Sequence, residues 1–200
     1  MNTGAALSNH FKWLSDVAGV KITPEILAII QSGAMYIHGR DKLYRVTIIT
    51  DIPKMTKLGE RNPDAISTQN MQNAFVFLWS YLKKAMFLPG ISDHWNTITD
   101  MGWAGMWALP RAQLLAIMSI CQSNMMYMLN RSFYVNASWG QMLCFKAMQP
   151  FLDPVTRLKL NMSSGHHPDL LELYHPCQLE KRFGGQADTP TNFWPPHVGK

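Results

Sequence analysis

Two hundred residues are enough for one domain with a sizeable core, and the composition is greasy, with 47% apolar against 16% charged residues. The net charge of +5 is scattered, with no run of five or more Lys/Arg and no basic stripe interleaved with aromatics, which argues against nucleic acid and suits an anionic membrane surface at least as well as a phosphate backbone. Cys121, Cys144 and Cys177 lack CxxC spacing and are odd in number, so a reducing compartment is expected rather than a disulfide framework.

Along the chain, a short amphipathic helix is expected around His10–Val17. Thr23-Pro24-Glu25 then reads as a helix start, a capping hydroxyl followed by a proline whose missing amide costs nothing there. Ile26, Leu27, Ile29 and Ile30 form its apolar face, and Gly33 is a suitable stop. After the polar turn Gly39–Lys42, the β-branched run Tyr44–Thr50 predicts a strand ended by Asp51-Ile52-Pro53. Lys54–Ala65 reads as loop. Ser67 caps a long helix with Met71, Phe75, Leu78, Leu82 and Met86 at helical spacing, stopped by Pro89-Gly90.

Trp95–Met101 alternates as a strand does. Pro110 opens a helix whose face is Leu114, Ile117, Cys121 and Met125, and Asn130-Arg131 turns into a strand over Ser132–Asn136. A helix over Trp139–Met148 with one apolar face follows, then a last strand over Leu158–Met162 and a short helix near Asp169–Tyr174. Strands alternating with helices predict an α/β fold, a mixed or parallel sheet with helices packed on it. The longest greasy stretch, Met101–Leu129, is broken by Pro110, Arg111 and Gln113, and the N-terminus lacks a signal-peptide core, so a soluble cytoplasmic protein is expected.

Catalytic signatures are missing. There is no GxxxxGK[ST] loop, no GxGxxG after a strand and no GxSxG elbow. His166, His167, Asp169, Glu172, His175 and Cys177 supply metal-ligand types without a zinc spacing, and a solvated helix cap explains them more simply. Cys144 reads as a small core residue, and Asp51 and Asp100 as ordinary strand-end carboxylates. No enzyme activity, metal or cofactor is expected.

Four local patterns carry a family resemblance. They are Gly33-Ala34 with Tyr36–Lys42; Thr97-Ile98-Thr99-Asp100-Met101; Phe133-Tyr134-Val135-Asn136-Ala137 followed by Pro150-Phe151-Leu152-Asp153-Pro154-Val155-Thr156 and Lys159; and Leu179 to Phe183-Gly184-Gly185. In this order and spacing they resemble the CRAL-TRIO lipid-binding family, which includes the fungal secretory phosphatidylinositol/phosphatidylcholine transfer protein. The resemblance implies a reduced N-terminal helical lobe over 1–32, a lipid-binding domain over 33–185 and a tail over 186–200. It implies a sheet flooring a hydrophobic pocket and Trp139–Leu152 as a gate helix that opens at a membrane.

It further implies a lipid-binding set. Phe145, Met148 and Phe151 fall on positions facing acyl chains, Lys159 on a lysine that contacts the inositol phosphate, and Thr97 on a threonine near the choline headgroup. Thr99, Tyr134, Trp139 and Leu160 complete the set with Tyr127, which stands where the family has an acidic residue. Trp95 replaces a serine two residues before the matched threonine, and Ser138 a proline. The implied partners are a lipid ligand and, transiently, a membrane surface.

Two readings stay open on these residues. Lys159 is either a headgroup contact or a solvated strand-edge lysine, and the many Met and helix aromatics either face a ligand or pack a core. Two functions follow: a carrier that transfers a phospholipid or other apolar ligand between membranes, or a module with a pocket collapsed by Trp95, Trp103, Trp107 and Trp139 that recruits a regulatory protein partner.

Overall fold

A computed structural model describes residues 12, 13, 15, 21–103, 111–125, 128–151 and 154–196. Helix α1 (Pro24–Gln31) starts where its capping signal lies, with Thr23 Oγ1 accepting from the Ile26 amide at 3.3 Å. Gly33 then takes φ +72°, and a Cβ there would fall 2.5 Å from the Phe193 ring. Strand β1 (Met35–Arg40) and strand β2 (Val46–Asp51) form an antiparallel hairpin. The polar turn between them is tied by buried Asp41, whose carboxylate accepts from the Leu43 and Arg45 amides, from Arg45 Nε and from Asn96 Nδ2.

The segment expected as loop after β2 is helix α2 (Ile52–Arg61). Asp51-Ile52-Pro53 ends the strand as expected and also starts the helix. The Asp51 side chain accepts from the Lys54 amide at 2.9 Å, with proline in the first turn and Ile52 and Met55 buried three residues apart. Helix α3 (Thr68–Tyr81) follows the Ser67 cap and runs into a π turn over Leu82–Met86. Strand β3 (Trp95–Asp100), helix α4 (Arg111–Asn124) and strand β4 (Leu129–Val135) come next. Asn130-Arg131 is therefore strand, not turn: Asn130 sits inside β4, accepting from Arg45 and donating to Asn96.

Helix α5 (Trp139–Met148) begins with a capping box between Ser138 and Gln141. Helix α6 (Pro154–Lys159) precedes the short strand β5 (Leu160–Met162), so Lys159 ends a helix instead of lying in a strand. Helix α7 (Pro168–Leu173) is capped by His167, whose Nδ1 accepts from the Asp169 amide at 3.3 Å.

The sheet order is β1-β2-β3-β4-β5, antiparallel at the β1–β2 edge and parallel elsewhere, the mixed sheet expected from the alternation of strands and helices. Strand alternation sends residues to two cores. One, under the helices, contains Ile29, Ile30, Met35, Ile48, Phe75, Leu78 and Trp95. The other, under the C-terminal segment, contains Tyr36, Ile49, Ile98, Phe133, Tyr174 and Phe183. The C-terminal segment reaches back onto this body through Phe193, whose ring packs on Tyr36, and Trp194, which packs on Phe77 and Tyr81.

Candidate functional site: an apolar cavity floored by hydroxyls

Because β3 and β4 pair in parallel with Thr97 opposite Ser132 and Thr99 opposite Tyr134, four hydroxyl residues share one sheet face. Thr50 joins them opposite Thr99. The intervening residues, Ile98, Phe133 and Val135, go to the other core.

The space is a cavity of about 170 Å³. That is more than ten times the ~10–15 Å³ needed to hold one water. Its roof is α4, through Leu114, Ile117, Met118 and Cys121, with Phe75 of α3 beside it. Trp95, Met125 and Leu129 close one end; Thr156, Lys159 and Leu160 stand at the β5 side. Ser132 pairs with Leu160, so β5 puts Lys159 next to the floor.

Thr97 Oγ1 donates to Ser132 Oγ at 2.6 Å. Burial pushes the Tyr134 hydroxyl up, opposed by its hydrogen bond with Ser132. Burial also raises the Cys121 thiol to about 12, which leaves a neutral apolar group and no nucleophile.

Five of the ten expected lipid-binding residues line the cavity: Thr97, Thr99, Tyr134, Lys159 and Leu160. Trp139 and Phe145 are not among the described lining residues. Tyr127 and the side chains of Met148 and Phe151 lie outside the described residues. Among the described lining residues the roof is α4, and none belongs to α5. Helix α5 docks through buried Gln141 and part-buried Met142, and leaves Trp139 79% and Leu143 52% exposed. Cys144 is exposed, so its reading as a core residue is wrong: it lies on the outward face of α5. Trp103 is also exposed, with its indole donating to the Ser164 carbonyl. Trp107 lies outside the described residues. Of the four tryptophans considered as plugs, Trp95 is the one found on the described wall.

The sequence reading missed Phe75 and Ser132 as cavity residues, and the roof role of α4. It also missed a buried ionic cluster at the carboxyl ends of β2 and β3, on the far side of the sheet. Arg182 donates from Nη1 to Asp51 at 2.6 Å and Asp100 at 3.2 Å, from Nε to Glu180 at 2.9 Å, and from Nη2 to the Tyr36 hydroxyl at 2.6 Å. Tyr36 in turn donates to Glu180, and Asn136 to Asp100. Burial opposes the Arg182 charge, but Tyr36, Glu180 and Asp51 raise its pKa further. Burial, then Glu180, raises Tyr36.

Among the described residues no group of three or more His, Cys, Asp or Glu could hold a metal, and no helix is long and apolar enough to cross a membrane.

The architecture is thus an α/β domain with an apolar chamber between one sheet face and a helix. A profile of the CRAL/TRIO domain matches residues 30–185. The chain belongs to this family, whose members are generally lipid-binding and lipid-transfer proteins rather than enzymes. Over 61 residues it is 36% identical to the SEC14 cytosolic factor of Kluyveromyces lactis, a stretch that is 30% of this chain and 20% of that protein. The fold resembles the crystal structure of Sfh5 with a TM-score of 0.67 at 13% identity, covering 94% of this chain and 66% of the other.

Proposed function

We propose that this protein binds one lipid in the cavity beneath α4 and carries it between membranes. The supporting observation is the chamber itself, a mainly apolar space with hydroxyls on its floor and a lysine at its β5 side. Transferring a long acyl chain out of water gains on the order of 10 kcal/mol at ~0.8 kcal/mol per methylene, before ordering costs.

At about 170 Å³ the chamber is smaller than the ~300–1,000 Å³ of ordinary drug-sized ligand sites. Admission of a lipid therefore requires the cover to move. Trp139 and Leu143 on α5, with Val155 and Leu158 on α6, are exposed apolar side chains that favour such movement at a bilayer surface. In this reading Lys159 and Thr97 contact the headgroup, and Thr99, Tyr134 and Leu160 contact the buried chain. The protein works from the cytoplasm and visits the membrane transiently.

Transfer of a labelled phospholipid from donor to acceptor vesicles tests the proposal. Protein-dependent transfer that stops when the cavity is filled by Cys121→Trp supports it. An empty protein without transfer would favour a module that recruits a regulatory protein instead.

A further inference from the structure

Around the tip of the β1–β2 hairpin, four large apolar side chains are exposed: Leu43 at 62%, Tyr44 at 58%, Ile91 at 70% and Leu171 at 49%. They come from three separate elements, and two cations join those elements. Arg40 donates from Nη1 to the Tyr44 carbonyl and from Nη2 to the Met86 carbonyl, both at 2.8 Å. That sets the tip beside the Leu88–Ser92 turn, which follows Met86 closely and carries Ile91. Lys42 donates from Nζ to the Glu172 carbonyl at 2.8 Å and from its amide to the Leu173 carbonyl, which sets the tip beside α7 and Leu171.

Both cations are thus spent on main-chain carbonyls. Among the described residues neither forms an ion pair, and burial lowers the pKa of half-buried Arg40. A guanidinium carries five N–H donors, so two bonds leave Arg40 with donors for an outside anion. Lys83 and Lys84, exposed on the π turn that leads to Met86, add to the positive charge. The exposed acids nearest in sequence are Glu172 and Asp93, the latter held by His94 at 2.6 Å. A positive rim around apolar tips is complementary to an anionic, partly apolar surface.

The tip is also built to leave water. All five amides from Asp41 to Arg45 have partners inside the protein. Asp41 donates to the Arg45 carbonyl, Lys42 to Leu173, Tyr44 to the Asp41 carbonyl, and Leu43 and Arg45 to the Asp41 carboxylate. A loop whose N–H groups are already paired enters a low-dielectric interface without the desolvation cost that bars bare backbone. Tyr44 holds φ +62°, a left-handed conformation that suits glycine, so its ring is displayed at the expense of backbone strain.

We propose that the hairpin tip, with Ile91 and Leu171, is a docking surface for an anionic lipid bilayer. Leu43, Tyr44 and Ile91 enter the headgroup layer, and Arg40 and Lys42 meet lipid phosphates. The surface is separate from the cavity and needs no bound ligand. Ile48 of β2 and Leu160 of β5 lie on one row across the sheet, on strands roughly 14 Å apart. Tyr44 and exposed Leu158 therefore both precede the amino ends of parallel strands, which lets one bilayer meet the tip and α6 together.

Co-sedimentation with vesicles of phosphatidylcholine, alone or mixed with phosphatidylserine, tests the surface. The parent is expected to bind the mixed vesicles, and less strongly as salt is raised. Lys42→Gln should weaken that binding about fivefold, the worth of one cation at an anionic surface, ~1 kcal/mol, and leave binding to pure phosphatidylcholine unchanged. Leu43→Ser with Tyr44→Gly should weaken binding to both vesicles about tenfold, and should unfold no earlier than the parent because glycine suits φ +62°. Should this double variant unfold earlier, the charge-dependent loss in Lys42→Gln decides in its place. Equal vesicle binding by parent and variants overturns the surface and leaves the cavity reading standing. A parent that ignores anionic vesicles but binds immobilised poly-glutamate overturns it in favour of an acidic protein partner.

Discussion

Replacing Arg182 by methionine keeps most of the stem and removes the charge and four hydrogen bonds, to Asp51, Asp100, Glu180 and Tyr36. The side chains of the three carboxylates are 5%, 11% and 0% exposed, so their charges stay buried without their cation. Breaking a buried ion pair by deleting one partner costs about 3–5 kcal/mol, and surface screening relieves little of it here. For a chain of this size about 2–4 °C is lost per kcal/mol, which puts the fall in Tm at roughly 6–20 °C. Thermal unfolding followed by circular dichroism measures the loss. A loss of under about 1 kcal/mol, the level of an exposed pair, would refute the assignment of this cluster as a clamp on the ends of β2 and β3.

Cys144 and Cys177 are exposed while the Cys121 thiol is pushed up to about 12, so a thiol reagent at pH 8 should modify two cysteines quickly and the third only on unfolding; three equally fast thiols would contradict the cavity wall. His38 leaves both ring nitrogens unpaired, and burial, the largest cause, lowers its pKa. A depressed base binds fewer protons folded than unfolded, so its contribution is present above about pH 6.5 and is lost as the pH falls below that value. The stability difference between parent and His38→Leu should therefore change with pH below 6.5 and be constant above it, in urea titrations; a pH-independent difference would remove the role. Lys159→Ala should lower vesicle transfer of phosphatidylinositol more than that of phosphatidylcholine, and an equal effect on both would deny that this cation reads the headgroup.

The helices with local start signals were legible. Thr23-Pro24 and Ser67 each cap the helix they suggest. Asp51-Ile52-Pro53 shows its strand end in the sequence but not its helix start, because a proline after a β-branched run suits a strand's end as well as a helix's first turn. The floor was half legible: the alternation of Thr97, Ile98 and Thr99 marks a two-faced strand, but which face meets a cavity depends on β4 and β5.

The choice between α4 and α5 as roof was not legible. Both carry apolar side chains at helical spacing, and only the crossover between β3 and β4 places Leu114, Ile117 and Cys121 over Thr97 and Thr99. The Arg182 cluster was hidden for another reason. Its partners Asp51 and Asp100 lie 131 and 82 residues away, and each looks like an ordinary strand-end carboxylate when read alone.

Native mass spectrometry of the protein purified from lipid-containing cells tests the central assignment most directly. The expected result is a stoichiometric adduct with the mass of one lipid, absent from the Cys121→Trp variant whose cavity is filled. A folded parent protein that carries no such adduct and takes up none from vesicles would contradict it.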